Sequence, residues 1–261
     1  MGRFETILVD IDDRGVVTIT LNRPEKKNAL SGQMISELTI LASDIPKNEE
    51  IRVAVLRGAG DTFCAGGDLA WMRQQISADR QERIHEARKL ANMLRSLNEM
   101  PIPLLGAIHG GAFGGGVGLA CVCDLAIAEK KSKFGFKETR LGLIPATISP
   151  YVIARMGEGS ARRVFMSARV FSAAEAMALN IIADNVPMTE LYNRIEEEIS
   201  PYLAVAPKAV GSSKTLARML GPKIDDAVIE KTINLLCDTW EGKEAREGIE
   251  AFLNKRKPYW S

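Results

Sequence analysis

Histidine is nearly missing from this chain: His85 and His109 are the only two in 261 residues. A histidine-rich metal site is therefore excluded, and no Ser/His/Asp order or Cys/His pair competes for a nucleophilic role. Neither sign of charge dominates, with 34 Lys and Arg against 33 Asp and Glu. A global pull toward nucleic acid or anionic lipid is lacking, and any basic patch would have to be local. Cysteine is scarce: Cys64, Cys121, Cys123 and Cys237 show no zinc-ribbon spacing. Cys121-x-Cys123 lies in an apolar run, where one-residue spacing suits neither a metal nor a disulfide, so the four read as buried thiols in a reducing compartment.

Long apolar runs are rare too. Only Pro101 to Val122 lacks Asp, Glu, Lys and Arg for a length that could span a bilayer. It carries seven glycines, a histidine and two prolines, which a buried strand, loop and helix explain better. Met1-Gly2-Arg3-Phe4-Glu5 has no apolar signal core and no transit pattern, and Gly2 lacks the Ser/Thr of a myristoylation signal. The expectation is a cytoplasmic protein with no membrane and no nucleic-acid partner. Its apolar content of 46% and charged content of 26% are ordinary for a globular chain long enough to bury a good core.

Runs rich in β-branched residues place strands at 4–10 and 15–21, joined by Asp12-Asp13-Arg14-Gly15 as a hairpin. Ser31 is a helix N-cap, with Met34, Leu38 and Leu41 on one face of the helix that follows. Further strands are expected at 52–57, 104–108 and 124–128, with a charged amphipathic helix over 80–98 and a short helix ending near Cys121. Strands alternating with helices imply parallel pairing through helical crossovers. From about 158 the pattern is nearly all helical: 158–168, 173–179, 188–205, 207–219, 224–240 and 242–255. The chain thus divides into an α/β core, residues 1–200, and a C-terminal helical region, 201–261.

Two glycine-containing turns stand between strand and helix: Phe63-Cys64-Ala65-Gly66-Gly67-Asp68-Leu69, and the longer run from His109 to Gly118. Glycine lets backbone approach a ligand, and free N–H groups at a helix start favour developing negative charge. Two such turns could give one N–H each to a shared oxyanion. Tight turns and close helix packing would use the same glycines equally well. A phosphate loop is ruled out by the missing Lys-Ser/Thr, and a dinucleotide fingerprint by the lack of G-x-G-x-x-G in register after the strand.

Glu138 lies in Phe134-Gly135-Phe136-Lys137-Glu138-Thr139-Arg140-Leu141-Gly142-Leu143-Ile144-Pro145. Aromatic and aliphatic neighbours would raise its pKa toward that of a proton carrier, whereas Lys137 and Arg140 would lower it. On the residues alone, a surface carboxylate paired to one of those bases is the safer expectation.

Taken together these pieces resemble the enoyl-CoA hydratase/isomerase (crotonase) superfamily across almost the whole chain. The resemblance rests on Leu21-Asn22-Arg23-Pro24-Glu25-Lys26-Lys27-Asn28-Ala29-Leu30, on both glycine turns running to Cys123-Asp124, and on Phe134-Gly135-Phe136. It implies an α/β spiral of ββα turns with a C-terminal helical trimerisation region, and a homotrimer or homohexamer. It implies Gly67 and Gly115 as oxyanion donors and Glu138 as the proton carrier. Coenzyme A would be held around Lys27, Asn28 and Ala29 and by Ala65, Asp68 and Leu69, as part of an acyl-CoA thioester substrate, with no separate cofactor and no metal.

One departure stands out. Family members that hydrate carry a second glutamate three residues past the oxyanion glycine, and here that position is Gly118. A single base suits a Δ3,Δ2-isomerase, moving a proton between γ- and α-carbons. Against that, Gly-Asp-Leu-Ala-Trp-Met (67–72), the stretch 113–124 and Leu-Ile-Pro-Ala-Thr-Ile-Ser-Pro-Tyr-Val (143–152) resemble bacterial methylglutaconyl-CoA hydratases of leucine and acyclic terpene catabolism. Hydration of 3-methylglutaconyl-CoA or a related branched enoyl-CoA is the leading expectation. Isomerisation is second, and an inert CoA-ester or RNA-binding relative is third.

Overall fold

Alternate residues of four strands face opposite ways and bury two separate layers. In the computed structural model, which describes residues 4–261, β1 (Ile7–Ile11) and β2 (Val16–Leu21) form the expected hairpin, with Ile7 opposite Leu21. The reading of Met1 to Arg3 for targeting signals lies outside the described residues. Helix α1 (Gly32–Asp44) begins at Ser31, whose side chain accepts from the Met34 N–H at 3.2 Å. Next come β3 (Val53–Gly58), α2 (Leu69–Ser77), α3 (Arg80–Glu99), β4 (Leu104–Ile108), β5 (Gly111–Phe113) and α4 (Gly115–Val122). Strands β6 (Leu125–Glu129) and β7 (Lys133–Gly135) lead to α5 (Ser149–Met156) and α6 (Glu158–Phe165).

The later half holds β8 (Val170–Ser172), α7 (Ala173–Ala178), β9 (Asp184–Val186), α8 (Leu191–Leu203), α9 (Pro207–Leu220), α10 (Asp226–Glu241) and α11 (Lys243–Leu253). The six helices fall where the periodicity put them, but β8 and β9 interrupt a stretch expected to be nearly all helical. Three-residue strands are too short to register as an alternation.

The main sheet runs β1-β2-β3-β4-β6-β9, parallel from β2 onward. Val53, Val55, Leu105, Ala107 and Ile127 face α8, where Leu191, Ile195 and Ile199 recur at helical spacing. Ala54, Leu56, Leu104, Ile108 and Ala126 face the other way, onto a larger core with α1, α3, α4 and α5. A third apolar cluster joins α2, α3, α10, α11 and the segment around Leu143 and Ala146. The crossover expectation holds, since parallel neighbours need helical connections.

A second sheet, β5-β7-β8, positions the chemistry. Parallel pairing sets Phe113 opposite Gly135, and the Gly114 N–H donates to the Gly135 carbonyl at 2.9 Å. The segment Phe136-Lys137-Glu138 is thereby delivered to the start of α4. The apolar run from Pro101 to Val122 is spent on β4, β5 and α4, and among the described residues no helix is long and apolar enough to cross a membrane. All four cysteines are free and buried, and burial pushes the Cys64, Cys121 and Cys123 thiols up to about 12.

Candidate active site

The two glycine turns lie side by side because their leading residues pair. Cys64 bridges Ala112 in parallel: the Cys64 N–H donates to the Gly111 carbonyl at 3.0 Å, and the Phe113 N–H donates to the Cys64 carbonyl at 3.0 Å. Three residues beyond each member of that bridge stand Gly67 and Gly115, so the turns leave the ladder abreast. Gly115 is the first residue of α4, where the helix leaves N–H groups without partners. Among the described residues neither the Gly67 nor the Gly115 N–H has a backbone acceptor. Gly67 is exposed and Gly115 half-buried, so both donors are open to a ligand. A Cβ on Gly115 would come within 2.7 Å of Leu30 Cδ1, which keeps that wall close to the backbone.

The segment expected to hold coenzyme A is a braced turn. Lys27 and Asn28 are both left-handed, with φ of 50° and 52°. Asn28 is buried; its Oδ1 accepts from the Arg23 N–H at 2.9 Å, and its Nδ2 donates to the Ala59 and Thr62 carbonyls at 2.8 and 2.7 Å. The Ala65 N–H donates to the Lys27 carbonyl at 2.9 Å, so these two predicted residues are neighbours. Asp68 caps α2, accepting from the Ala70 N–H at 2.7 Å, and pairs with Arg23 Nη1 at 2.9 Å. Burial raises its pKa, but the Arg23 and backbone N–H hydrogen bonds outweigh this and hold it below the usual carboxylate range. Arg23 also donates to the Ala29 carbonyl at 2.7 Å. The side chains of Asn28 and Asp68 are therefore occupied in shaping the turn, and Lys27 and Leu69 are the ones exposed to solvent.

Glu138 corrects the safer expectation from the sequence. It is not a surface carboxylate paired to Lys137 or Arg140; among the described residues its Oε2 is buried with no hydrogen-bond partner. Phe134 and Phe136 are fully buried, which turns the chain so that Glu138 points in while Arg140 is exposed. Lys137 extends over the Phe113 ring, its Nζ 5.5 Å from the centroid. Burial pushes the Glu138 pKa up to about 7, against a weaker pull from the backbone N–H groups of Glu138 and Lys137; no charged side chain contributes. A carboxyl poised near neutrality can both take and return a proton. Its Oε1 lies where a Cβ on Gly114 would come within 2.8 Å, and Gly114 has a φ of 48°. Gly114 therefore admits the carboxylate to the second glycine turn. The sequence shows the glycine run but not which member faces the acid.

One turn further along α4, Gly118 faces an apolar plug. A Cβ there would meet Ile148 Cγ2 at 2.6 Å and Cβ at 3.0 Å, with Leu94 Cδ2 at 3.8 Å. Ile148 is 2% exposed. It stands in the Ala146-Thr147-Ile148-Ser149 stretch, whose contact with Gly118 no local pattern announces. A surface cavity of about 850 Å³ is lined by α8 and includes none of these residues.

Comparison with known proteins places the fold and the family. The sequence profile described as enoyl-CoA hydratase/isomerase matches residues 12–261. The enoyl-CoA isomerase/hydratase fer4 of Mycosarcoma maydis is 33% identical over 261 residues, covering 95% of this chain and 93% of that protein. A solved enoyl-CoA hydratase structure from Shewanella pealeana is 34% identical with a TM-score of 0.81, covering 99% of this chain and 97% of its own. A putative enoyl-CoA hydratase/isomerase (crotonase) structure from Legionella pneumophila is 38% identical, with a TM-score of 0.77, over 98% of this chain and 99% of its own. With its paired glycine turns and buried acid on a matching fold, the chain belongs to the enoyl-CoA hydratase/isomerase family and is an enzyme of that kind.

Proposed function

We propose that this enzyme hydrates a branched α,β-unsaturated acyl-CoA of the 3-methylglutaconyl class, without a cofactor and with Glu138 as its only acid–base group. The observation that carries the reading is Glu138 Oε2, buried without a hydrogen-bond partner, on a carboxyl that lies against Gly114, next to the free Gly115 N–H. The thioester oxygen would sit between the Gly67 and Gly115 N–H groups. Charge grows on that oxygen as water adds to the β-carbon, so fixed donors favour the enolate-like transition state over the substrate. Glu138 takes a proton from the attacking water and returns it to the α-carbon, leaving a 3-hydroxyacyl thioester. One carboxyl near neutrality suffices for both transfers. Lys27, Asn28, Ala29, Ala65, Asp68 and Leu69 would form the coenzyme A cradle, chiefly through backbone, since the Asn28 and Asp68 side chains are already engaged.

The same geometry supports a second reading, Δ3,Δ2-enoyl-CoA isomerisation, because Ile148 occupies the space beside Gly118 where a second acid would stand. A third, an inert or RNA-binding relative, leaves the buried Glu138 carboxyl without a purpose. We place the enzyme in the cytosol, in keeping with four free buried thiols. We further infer a homotrimer or homohexamer assembled through residues 201–261, where Leu216, Met219 and Leu220 expose an apolar face on α9.

The test follows the conjugated enoyl-thioester absorbance with crotonyl-CoA, 3-methylglutaconyl-CoA and a 3-enoyl-CoA in parallel. Falling absorbance with a hydroxyacyl product by mass is expected, and greatest efficiency with the glutaconyl ester. Rising absorbance with the 3-enoyl ester alone would replace hydration by isomerisation.

A further inference from the structure

Trp71 is the fourth residue after Gly67, and one helical turn carries it back over the glycine. A Cβ on Gly67 would lie 3.9 Å from both Cε3 and Cζ3 of the indole. The ring also packs against the apolar cluster that includes Leu143 and Ala146. Leu143 is tied directly to the acid's turn, its N–H donating to the Glu138 carbonyl at 3.0 Å. A single indole therefore borders the Gly67 turn and rests on the same apolar cluster to which Leu143, bonded to the acid's turn, belongs.

Its orientation is held by a charged group. The indole N–H donates to Glu86 Oε2 on α3 at 3.1 Å, and Glu86 Oε1 accepts from Lys89 Nζ at 2.6 Å. The Glu86 side chain is only 12% exposed. A half-buried indole needs an acceptor, but a neutral one would serve packing at lower desolvation cost. A carboxylate makes the stronger, more directional bond. Burial raises the Glu86 pKa, yet the Lys89 and Trp71 hydrogen bonds prevail and keep it ionised at neutral pH.

We propose that Trp71 is the specificity wall of the acyl site and Glu86 its positioning residue, an assignment that rests on Gly67 being an oxyanion donor. The indole face blocks a chain running straight from the thioester carbonyl along α2 and offers a flat surface to a conjugated enoyl group. The substrate class is then short or β-branched enoyl thioesters, with long straight chains disfavoured.

The experiment compares kcat/KM for trans-2-decenoyl-CoA and crotonyl-CoA in the wild type, Trp71→Ala, Trp71→Phe, Glu86→Leu and Glu86→Gln. Trp71→Ala should raise the decenoyl-to-crotonyl ratio at least about tenfold, chiefly through KM for the long chain. Trp71→Phe and Glu86→Leu should shift the ratio the same way by about threefold. Glu86→Gln, whose amide oxygen still accepts the indole N–H but more weakly, should fall between Glu86→Leu and the wild type. An unchanged ratio in folded Trp71→Phe and Glu86→Leu would overturn the assignment and leave Trp71 as packing alone. The ratio of dissociation constants for the two esters, by calorimetry, reads the same wall without turnover. A wild type that binds both esters but converts neither would count against the proposed function, while the binding ratio still decides the role of Trp71.

Discussion

Two corners of α4, one turn apart, face opposite environments. At Gly114 the helix start meets a carboxyl whose Oε2 has no partner and whose pKa is pushed to about 7. At Gly118 the same helix meets Ile148, packed so closely that even a methyl group would collide. Both positions are glycine, but the first makes room for a carboxyl and the second for an aliphatic plug. The contrast teaches that the space beside Gly118 is packed core and not a vacancy, which is why the proposed mechanism gives all proton transfer to Glu138.

The sharpest way to break this comparison is to neutralise the charged corner. Glu138→Gln should lower turnover by about 10²–10⁴-fold while leaving acyl-CoA binding by calorimetry nearly intact. Retained activity would mean that some other group moves the proton. Gly114→Ala should follow, with about tenfold or greater loss of kcat, because its Cβ would come within 2.8 Å of Glu138 Oε1 and the backbone has φ +48°. Unchanged kcat would show that the carboxyl can be displaced freely.

The buried acid also couples stability to pH. Its folded pKa of about 7 lies above its ordinary 4.5, so the folded state binds more protons between those values. The stabilising contribution is complete below about pH 4.5 and is lost as pH rises through about 7, a swing of about 3 kcal/mol. Urea melts should show Glu138→Gln gaining on the wild type from pH 4.5 to 8, and parallel curves would refute the burial argument.

At the apolar corner, Gly118→Glu alone should cost about 1–3 kcal/mol by overpacking against Ile148. Pairing it with Ile148→Gly should recover part of that loss and raise the ratio of crotonyl-CoA hydration to 3-enoyl isomerisation. A double variant no better than Gly118→Glu would mean that Ile148 is not the plug. The smallest effect expected is at the rim, where Arg140 is exposed. A glutaconyl chain carries a distal carboxylate that this exposed cation would attract, so Arg140→Ala should raise KM for a glutaconyl thioester about two- to threefold relative to crotonyl-CoA, and equal changes would rule out that pairing.

Much of the frame was legible beforehand. Ser31 as a cap, the Asp12-to-Gly15 hairpin and the six helices after residue 158 follow from local chemistry and period, and all are present. The short strands β5, β7, β8 and β9 were not legible, since pairing with distant segments, and not their own pattern, makes them strands. The site was legible only in part. Asn28 and Asp68 stood out as residues, but their side chains proved to brace the turns. Glu138 was pulled two ways, by its aromatic neighbours and by Lys137 and Arg140, and three adjacent letters cannot say which side chain turns inward.

By itself the sequence determined the order of the longer strands and of most helices, the two glycine turns, the lack of a histidine-based site and the family resemblance. Each is encoded within a few neighbouring residues or by composition. Tertiary structure alone decided that Gly67 and Gly115 stand abreast, that Glu138 is buried without a counter-ion, and that Ile148 fills the space beside Gly118. Those outcomes depend on the Cys64–Ala112 and Phe113–Gly135 registers and on the approach of α4 to the 146–149 segment. Register and packing between distant segments set which backbone groups stay unpaired and how much water a carboxyl loses, and no local window of sequence contains them.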